Sequence, residues 1–174
     1  MQLGIRLHDI KKAPLEERLA IANEQGFLCG HLALSKVISE YPVDDGALTP
    51  GYAMYLKKLF AKNGLDIAVL GCYLNLANPN EEQLAKITHR YLAHIRFASL
   101  LGEGVVGTET GAVNEEYKFE EKNHSDEALD IFIRNVKPVL SYAEKMGVIF
   151  AIEPVWKHIC LLYTSDAADD MQCV

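Results

Sequence analysis

Apolar runs alternate with helix-like segments along this chain. Four segments end in glycine and pass directly into a short apolar run: "NEQGFLCGHLAL", "AKNGLDIAVLGCYLNL", "LLGEGVVGTETG" and "EKMGVIFAIEPV". Glycine is the usual left-handed cap of a helix, and a continuous apolar run fits a strand that is covered on both faces. Together with "QLGIRLHD" at the start, these runs predict five strands. The predicted strands lie at about residues 2–8, 28–34, 65–75, 104–109 and 148–153.

The segments between the predicted strands carry helix signals. "APLEERLAIANEQ" has Pro14 in its first turn, where proline is well tolerated, and "TPGYAMYLKKLFAKN" begins with the same device. "NPNEEQLAKITHRYLAHIRFASLL" begins with Asn78 or Asn80 as its cap, followed by acidic residues. "SDEALDIFIRNVKPVLSYAEKM" begins at Ser125, and Pro138 is expected to kink this helix or to lie near a break in it.

Strands that alternate with helices predict right-handed crossovers and a parallel sheet. Two architectures are open at this point, a doubly wound sheet and a (β/α)8 barrel. The first strand lacks a G-x-G-x-x-G turn, which disfavours the dinucleotide-binding version of the doubly wound sheet. Five units in about 153 residues extrapolate to roughly 250–280 residues for eight, the usual size of a barrel. We therefore predict an α/β fold: a parallel (β/α)8 TIM barrel of which about the first five βα units are present.

Composition narrows the class of protein. The 174 residues include 17 Lys and Arg and 24 Asp and Glu, a net charge of −7, so no basic stripe for nucleic acid is expected. No apolar run approaches the ~20 residues of a membrane span, and the N-terminus lacks the pattern of a signal peptide. The four cysteines have no metal-type spacing, which predicts a reducing, cytoplasmic location. The oligomeric state stays open.

The most informative polar residue is Glu153, which follows the apolar run Val148–Ile152. A lone carboxylate at the end of such a strand needs a cation, a metal or a hydrogen-bonding substrate. If Glu153 points into the barrel, the alternation of a strand places Ile149 and Ala151 on the same face and turns Phe150 toward the helices. The competing interpretation is a carboxylate paired with a neighbouring Lys or Arg.

Four further residues are candidates for substrate binding. Glu109 ends the fourth predicted strand, His8 ends the first, and Trp156 and His158 follow Glu153 in its loop. Chemistry gathers where parallel strands end, so these side chains are expected to share one polar site. Each also has a structural alternative, such as a paired carboxylate, a satisfied histidine or a loop anchor.

Three other histidines are predicted to be structural. For His31, within the second strand, a packed and hydrogen-bonded imidazole is favoured. His89 and His94 are predicted to lie on the surface of a helix.

The motifs "GIRLHD", "GFLCGHLAL", "GTETG" and "AIEPV" occur in an order and at a spacing that resemble the xylose isomerase-like barrel superfamily of sugar phosphate isomerases and epimerases. The resemblance runs from about residue 2 to residue 159. It implies one divalent metal ion, Mn, Mg, Co or Zn, at the C-terminal mouth of a barrel. The implied ligands are Glu, Asp, His and Glu from strands five to eight. Glu153 matches the first of them, as metal ligand and as catalytic base, and no other ligand can be assigned.

The chain also departs from this superfamily. Many relatives carry an acidic residue where His31 stands, and members that cut DNA at abasic sites have metal-binding histidines on the early strands. The third strand here, "LGCYLNL", has no histidine. The nuclease activity is therefore disfavoured, and no nucleic acid or membrane partner is expected.

The last residues interrupt the pattern. "CLLYTSDAADD" resembles the translation of a sequencing-library adapter. We therefore expect residues 1–159 to form a partial TIM barrel with strands one to five, and residues 160–174 to be a non-native tail.

The resemblance predicts the activity of the parent protein. It implies a divalent-metal-dependent isomerase or epimerase of a small sugar or sugar phosphate, with a carbohydrate as its small-molecule partner. The 174-residue fragment itself is expected to be inactive and not to bind the metal. A metal-dependent lyase or dehydratase on the same barrel, of the inosose type, and a non-catalytic barrel fragment are the alternatives.

Overall fold

The fold is a single parallel sheet whose strands alternate with helices. The computed structural model describes residues 2–102 and 104–159. The strands are β1 (Gly4–Arg6), β2 (Cys29–Leu32), β3 (Asp66–Gly71), β4 (Val105–Glu109) and β5 (Ile149–Glu153). The helices are α1 (Leu15–Glu24), α2 (Leu34–Val37), α3 (Pro50–Lys62), α4 (Glu81–Leu101) and α5 (Asp126–Met146), and two 3-10 turns span Leu7–Asp9 and Glu121–His124.

The strands follow one another in chain order, β1-β2-β3-β4-β5, and every pair is parallel. This arrangement confirms the predicted succession of βα units. All five strands are shorter than predicted, most of all β1 and β3, which end at Arg6 and Gly71. After Arg6 the chain turns into the first 3-10 turn, which moves His8 out of the strand.

Local signals in the sequence explain where the long helices begin and end. The side chains of Asn80 and Ser125 accept hydrogen bonds from backbone amides three residues later and cap α4 and α5. Both helices end at a left-handed glycine, Gly102 (φ 79°) and Gly147 (φ 66°), as the pattern predicted. Helix α5 continues through Pro138 without a break.

The helices cover only one face of the sheet. Tyr91 of α4 is fully buried, and its ring packs edge-on against Phe150 of β5, 5.5 Å between centroids. On the opposite face of β5, Ile149 is 66% exposed. The side chains of β5 therefore alternate as predicted, with Glu153, Ala151 and Ile149 on the uncovered face.

No helix in the described part of the chain is long and apolar enough to cross a membrane.

Candidate functional site

A cavity of about 330 Å³ lies on the uncovered face at the C-terminal ends of the strands. Residues from all five strands line it, together with side chains from the segments that follow β1, β2 and β3. This is the edge at which parallel α/β proteins place their ligands.

Two small residues, Gly107 and Ala151, line the cavity and are neighbours across β4 and β5. Gly71 on β3 is the register partner of Gly107. A Cβ atom at Gly107 would lie 2.9 Å from Val69 Cγ1, and one at Gly71 would collide with the imidazole of His31. Any larger residue at these two positions would displace the side chains of Val69 and His31.

Two carboxylates lie side by side at one end of the cavity. Glu109 and Glu153 are register partners on β4 and β5, so both end their strands at the same level. The hydroxyl of Tyr117 donates a hydrogen bond to Glu109 Oε2 at 3.1 Å. Nδ1 of His158 lies 3.3 Å from the same oxygen, but outside hydrogen-bonding geometry. Glu153 makes no hydrogen bond with any residue that the structure describes.

Tyr117 is held in an unusual conformation behind Glu109. It is the only described non-glycine residue with positive φ, 56°, a conformation that costs free energy and needs support from its surroundings. Its ring stacks on His158, with centroids 4.5 Å apart and planes 14° apart. Burial raises the pKa of Tyr117 well above its ordinary value, and Glu109 adds to the effect, so the hydroxyl stays a donor.

Histidines and a tyrosine line the other side of the cavity. The Tyr73 hydroxyl and His31 Nε2 are hydrogen-bonded at 3.0 Å, and the ring of His8 packs edge-on against His31. Burial lowers the pKa of His31 to about 4 and also lowers the pKa of His8. Both rings are therefore neutral at pH 7. The buried Nδ1 of His8 has no hydrogen-bond partner among the described residues.

The structure brings together three of the five candidate site residues. Glu153, Glu109 and His8 line the cavity, whereas His158 lies behind Glu109 and Trp156 lies outside. Trp156 is 42% exposed and packs against Phe119 and Lys157. The roles assigned to these five residues stay predictions.

The structure places two of the histidines that were predicted to be structural, His94 and His31. His94 is 4% exposed and its Nδ1 lies 2.9 Å from the carbonyl oxygen of Arg90, so its predicted surface position is wrong. The reason is that α4 packs against both α3 and α5, which covers more of its circumference than one apolar stripe indicates. His31 is packed and hydrogen-bonded as expected, and it also lines the cavity.

Residues that the sequence did not single out also line the site, above all Arg6 and Tyr73. Arg6 is the last residue of β1, directly before the first 3-10 turn, and Tyr73 lies two residues after the end of β3. Both residues lie inside the strands predicted from the sequence, at 2–8 and 65–75, so the position of a strand end did not identify them as it identified Glu109.

The described residues do not form a metal centre by themselves. In residues 2–102 and 104–159, no group of three His, Cys, Asp or Glu side chains is arranged to hold a metal ion. Glu153 and Glu109 provide oxygen donors of the kind that hard divalent ions prefer, but two side chains do not complete a coordination shell. The observed donor set is therefore too small for the metal that the resemblance implies.

Comparison with known proteins gives the class to which the chain belongs. Residues 20–172 match the family described as xylose isomerase-like TIM barrel, which covers most of the chain. The chain therefore belongs to this family. The match includes part of the segment 160–174, which lies outside the described residues, so its predicted artefactual origin stays a prediction. No curated protein sequence matches the chain significantly.

Solved structures share the fold at low sequence identity. A protein of Sinorhizobium meliloti 1021 superposes with a TM-score of 0.65 at 20% identity, over 88% of this chain and 50% of its own. D-psicose 3-epimerase from Clostridium cellulolyticum H10, solved with D-tagatose, gives 0.63 at 18% identity, over 86% and 51%. An L-ribulose 3-epimerase gives 0.64 at 17% identity, over 90% and 50%. The chain thus spans about half the length of the solved structures that it resembles.

Proposed function

We propose that this chain is part of a sugar isomerase or epimerase whose active site is the cavity at the strand ends. The observation that carries the proposal is the adjacent pair Glu109 and Glu153 at the carboxyl ends of β4 and β5, in a chain of the xylose isomerase-like family. The solved structures of similar fold that are ketose 3-epimerases support it.

The two carboxylates suit different tasks. Glu153 has no hydrogen-bond donor among the described residues, so its oxygens are available to remove a proton from the carbon next to a substrate carbonyl. Glu109 is fixed through Oε2 by Tyr117, which leaves Oε1 to accept a hydrogen bond from a substrate hydroxyl. Inversion of that carbon requires a second acid that delivers a proton to the opposite face. Isomerisation instead delivers a proton to the former carbonyl carbon, while the proton of the neighbouring hydroxyl moves to the former carbonyl oxygen.

The proposal includes a divalent metal ion, with Glu153 as one of its ligands. Related isomerases and epimerases of this fold commonly use such an ion. The other ligands are not among the described residues, so we route no step of the reaction through the metal.

The free thiols of Cys29 and Cys72 agree with the cytoplasmic location that we propose.

The test is hydrogen exchange at the carbon next to the carbonyl. A ketohexose is incubated in D2O with the protein expressed from its source gene, with and without Mn²⁺, and followed by ¹H NMR. We expect loss of the signal of that proton together with formation of an epimer or an aldose. A product that has lost water would replace the proposal with a dehydratase. Failure to exchange any proton and to bind any divalent metal would favour a non-catalytic barrel.

A further inference from the structure

The hydroxyl of Tyr73 lies in the cavity, close to the small residues of β4 and β5. A Cβ atom at Gly107 would lie 3.6 Å from Tyr73 Oη. Gly107 and its register partner Ala151 each stand two residues before one of the carboxylates, Glu109 and Glu153, on the same face of the sheet. Two residues of a strand span about 7 Å. A small substrate can therefore contact the Tyr73 hydroxyl and a carboxylate at the same time.

Contacts with neighbouring side chains fix the position of this hydroxyl. Tyr73 Oη and His31 Nε2 are hydrogen-bonded at 3.0 Å, and the two rings pack edge-on with centroids 5.6 Å apart. A Cβ atom at Gly71 would collide with His31 and would lie 2.7 Å from Tyr73 Cε2, so the two side chains meet only because residue 71 is glycine. The ring of His8 packs edge-on against His31, and Lys36 Nζ lies 5.0 Å from the centre of the Tyr73 ring. The hydroxyl is thus held in place before a substrate binds.

The hydrogen bond between Tyr73 and His31 has two possible forms. Burial lowers the pKa of His31 to about 4, so its ring is neutral at pH 7 and carries one N–H group. Either the hydroxyl donates to Nε2, or Nε2–H donates to the hydroxyl oxygen. Only the second form leaves the hydroxyl proton available to a substrate.

The charges of the site favour this second form. Burial raises the pKa of Tyr73 to about 12, and the charges of Glu153 and Glu109 contribute, so the hydroxyl stays protonated. The same negative charges attract the hydroxyl proton toward the carboxylates and away from His31. A neutral His31 can then donate its Nε2–H to the oxygen of Tyr73.

We propose that Tyr73 donates a hydrogen bond to the carbonyl oxygen of the substrate and stabilises the negative charge that develops there. His31 is the positioning residue that orients the Tyr73 hydroxyl. This inference rests on the proposed function, which it deepens by naming a further catalytic residue. The backbone of the argument is the placement of one fixed donor about 7 Å along the strands from the two carboxylates.

The role of Tyr73 follows the electrons of the reaction. Glu153 takes the proton of the carbon next to the carbonyl, and the electron pair of that C–H bond forms the carbon–carbon double bond of an enolate. The π pair of the carbonyl group moves to its oxygen. Tyr73 keeps its own proton, and its hydrogen bond to this oxygen becomes charge-assisted and stronger. Return of a proton to carbon restores a carbonyl group and leaves Tyr73 unchanged.

Replacement of Tyr73 tests this role in the protein expressed from its source gene. In the D2O exchange assay, Tyr73→Phe is expected to lower kcat by about 100- to 1000-fold with little change in KM, because the lost donor acts mainly on the developing charge. Tyr55→Phe on the exposed side of α3 is the matched control and is expected to change nothing. Full kcat in Tyr73→Phe would overturn the inference.

Two replacements of His31 separate positioning from packing. His31→Leu is expected to lower kcat by about 10-fold, the effect of one lost hydrogen bond. His31→Gln, whose amide can donate to the Tyr73 oxygen, is expected to restore most of kcat. Equal kcat in the two variants would contradict a positioning role.

The protonation of His31 gives a readout that does not depend on turnover. Long-range ¹H–¹⁵N NMR of the same protein, labelled with ¹⁵N-histidine and assigned with His31→Gln, is expected to show a protonated Nε2 and an unprotonated Nδ1 at pH 7. A proton on Nδ1 alone would overturn the inference, because Tyr73 would then donate to His31. That result, or full kcat in Tyr73→Phe, contradicts the inference and leaves the proposed function standing. An unmodified protein that exchanges no substrate proton contradicts the proposed function, and the role of Tyr73 falls with it.

Discussion

The two carboxylates of the site have different surroundings although they are register partners. Tyr117 donates to Glu109, and His158 lies against the same oxygen, whereas Glu153 is free of partners among the described residues. A carboxylate that already accepts a hydrogen bond from the protein is expected to orient the substrate. A carboxylate without such a donor is expected to transfer a proton.

Replacement of each carboxylate separates these roles. Glu153→Gln is expected to lower kcat for proton exchange by about 100-fold or more, because an amide cannot act as the base. Glu109→Gln keeps the shape of the side chain and is expected mainly to raise KM. Steady-state NMR kinetics of the protein expressed from its source gene measure kcat and KM for both variants. Glu24→Gln at the exposed end of α1 is the control. Full kcat in Glu153→Gln would exclude it as the base.

The buried His94 makes the stability of the fold depend on pH. Burial lowers its pKa to about 4, so the unfolded chain binds a proton at a higher pH than the folded chain. Its contribution to stability is complete above pH 6.5 and is lost as the pH falls toward 4. We expect about 2 kcal/mol less stability at pH 5 than at pH 7 from this residue. Urea unfolding at micromolar concentration measures the difference, and His94→Gln should reduce it. An unchanged difference in that variant would contradict this origin.

At the scale of the elements, two buried asparagines connect the loops after β3, β4 and β5. Asn75 accepts hydrogen bonds from the amides of Ala77 and Ala112. Asn123 accepts one from the amide of Val113 and donates to the carbonyl oxygens of Lys118 and Lys157. These bonds join the loop that carries Tyr117 to the loop that follows Glu153.

Removal of Asn123 is therefore expected to loosen the acidic side of the site. Asn123→Ala leaves buried backbone groups without partners and should cost about 3 kcal/mol. Amide hydrogen exchange should rise in residues 111–118 and 154–159. The matched control is Thr49→Ala, which removes the cap of α3 at a cost of about 1 kcal/mol and is expected to leave these loops protected. Equal exchange in the two variants would show that Asn123 does not connect the loops.

Local sequence patterns predict the positions of the strands and helices better than they predict the contacts between distant residues. Glycine caps and apolar runs are local signals, and they located all five strands and the four long helices. The four-residue helix α2 and the buried position of His94 depend on packing by distant parts of the chain, which no local pattern contains. The same holds for the site: position at a strand end identified Glu109 and Glu153, whereas the contact of Tyr117 with Glu109 depends on the path of a loop.

Within residues 2–102 and 104–159, the sheet is open at both sides. Among the described strands, β1 pairs only with β2 and β5 pairs only with β4. Leu3 next to β1 is 62% exposed and Ile149 at the start of β5 is 66% exposed. Unpaired strand edges beside exposed apolar side chains favour association with other chains.

We accordingly expect the 174-residue chain to associate as its concentration rises. Sedimentation velocity from 1 to 100 µM should show a growing fraction of larger species. Ile149→Lys should reduce this fraction, since a charged residue next to an edge opposes pairing. The matched control is Ile133→Lys, which is also exposed but lies on helix α5 and not on the edge strand. A monomer over the whole range that melts cooperatively would contradict the expectation.

We propose that these five βα units belong to an eight-stranded barrel whose metal site includes Glu153. The sequence of the source gene beyond the codon for Ile159 tests this proposal. We predict that the reading frame continues for about 100 codons and encodes three further strands that end in Asp, His and Glu. A gene that ends after the codon for Val174 would contradict it, because Glu153 would then lack the companions that the proposed site requires.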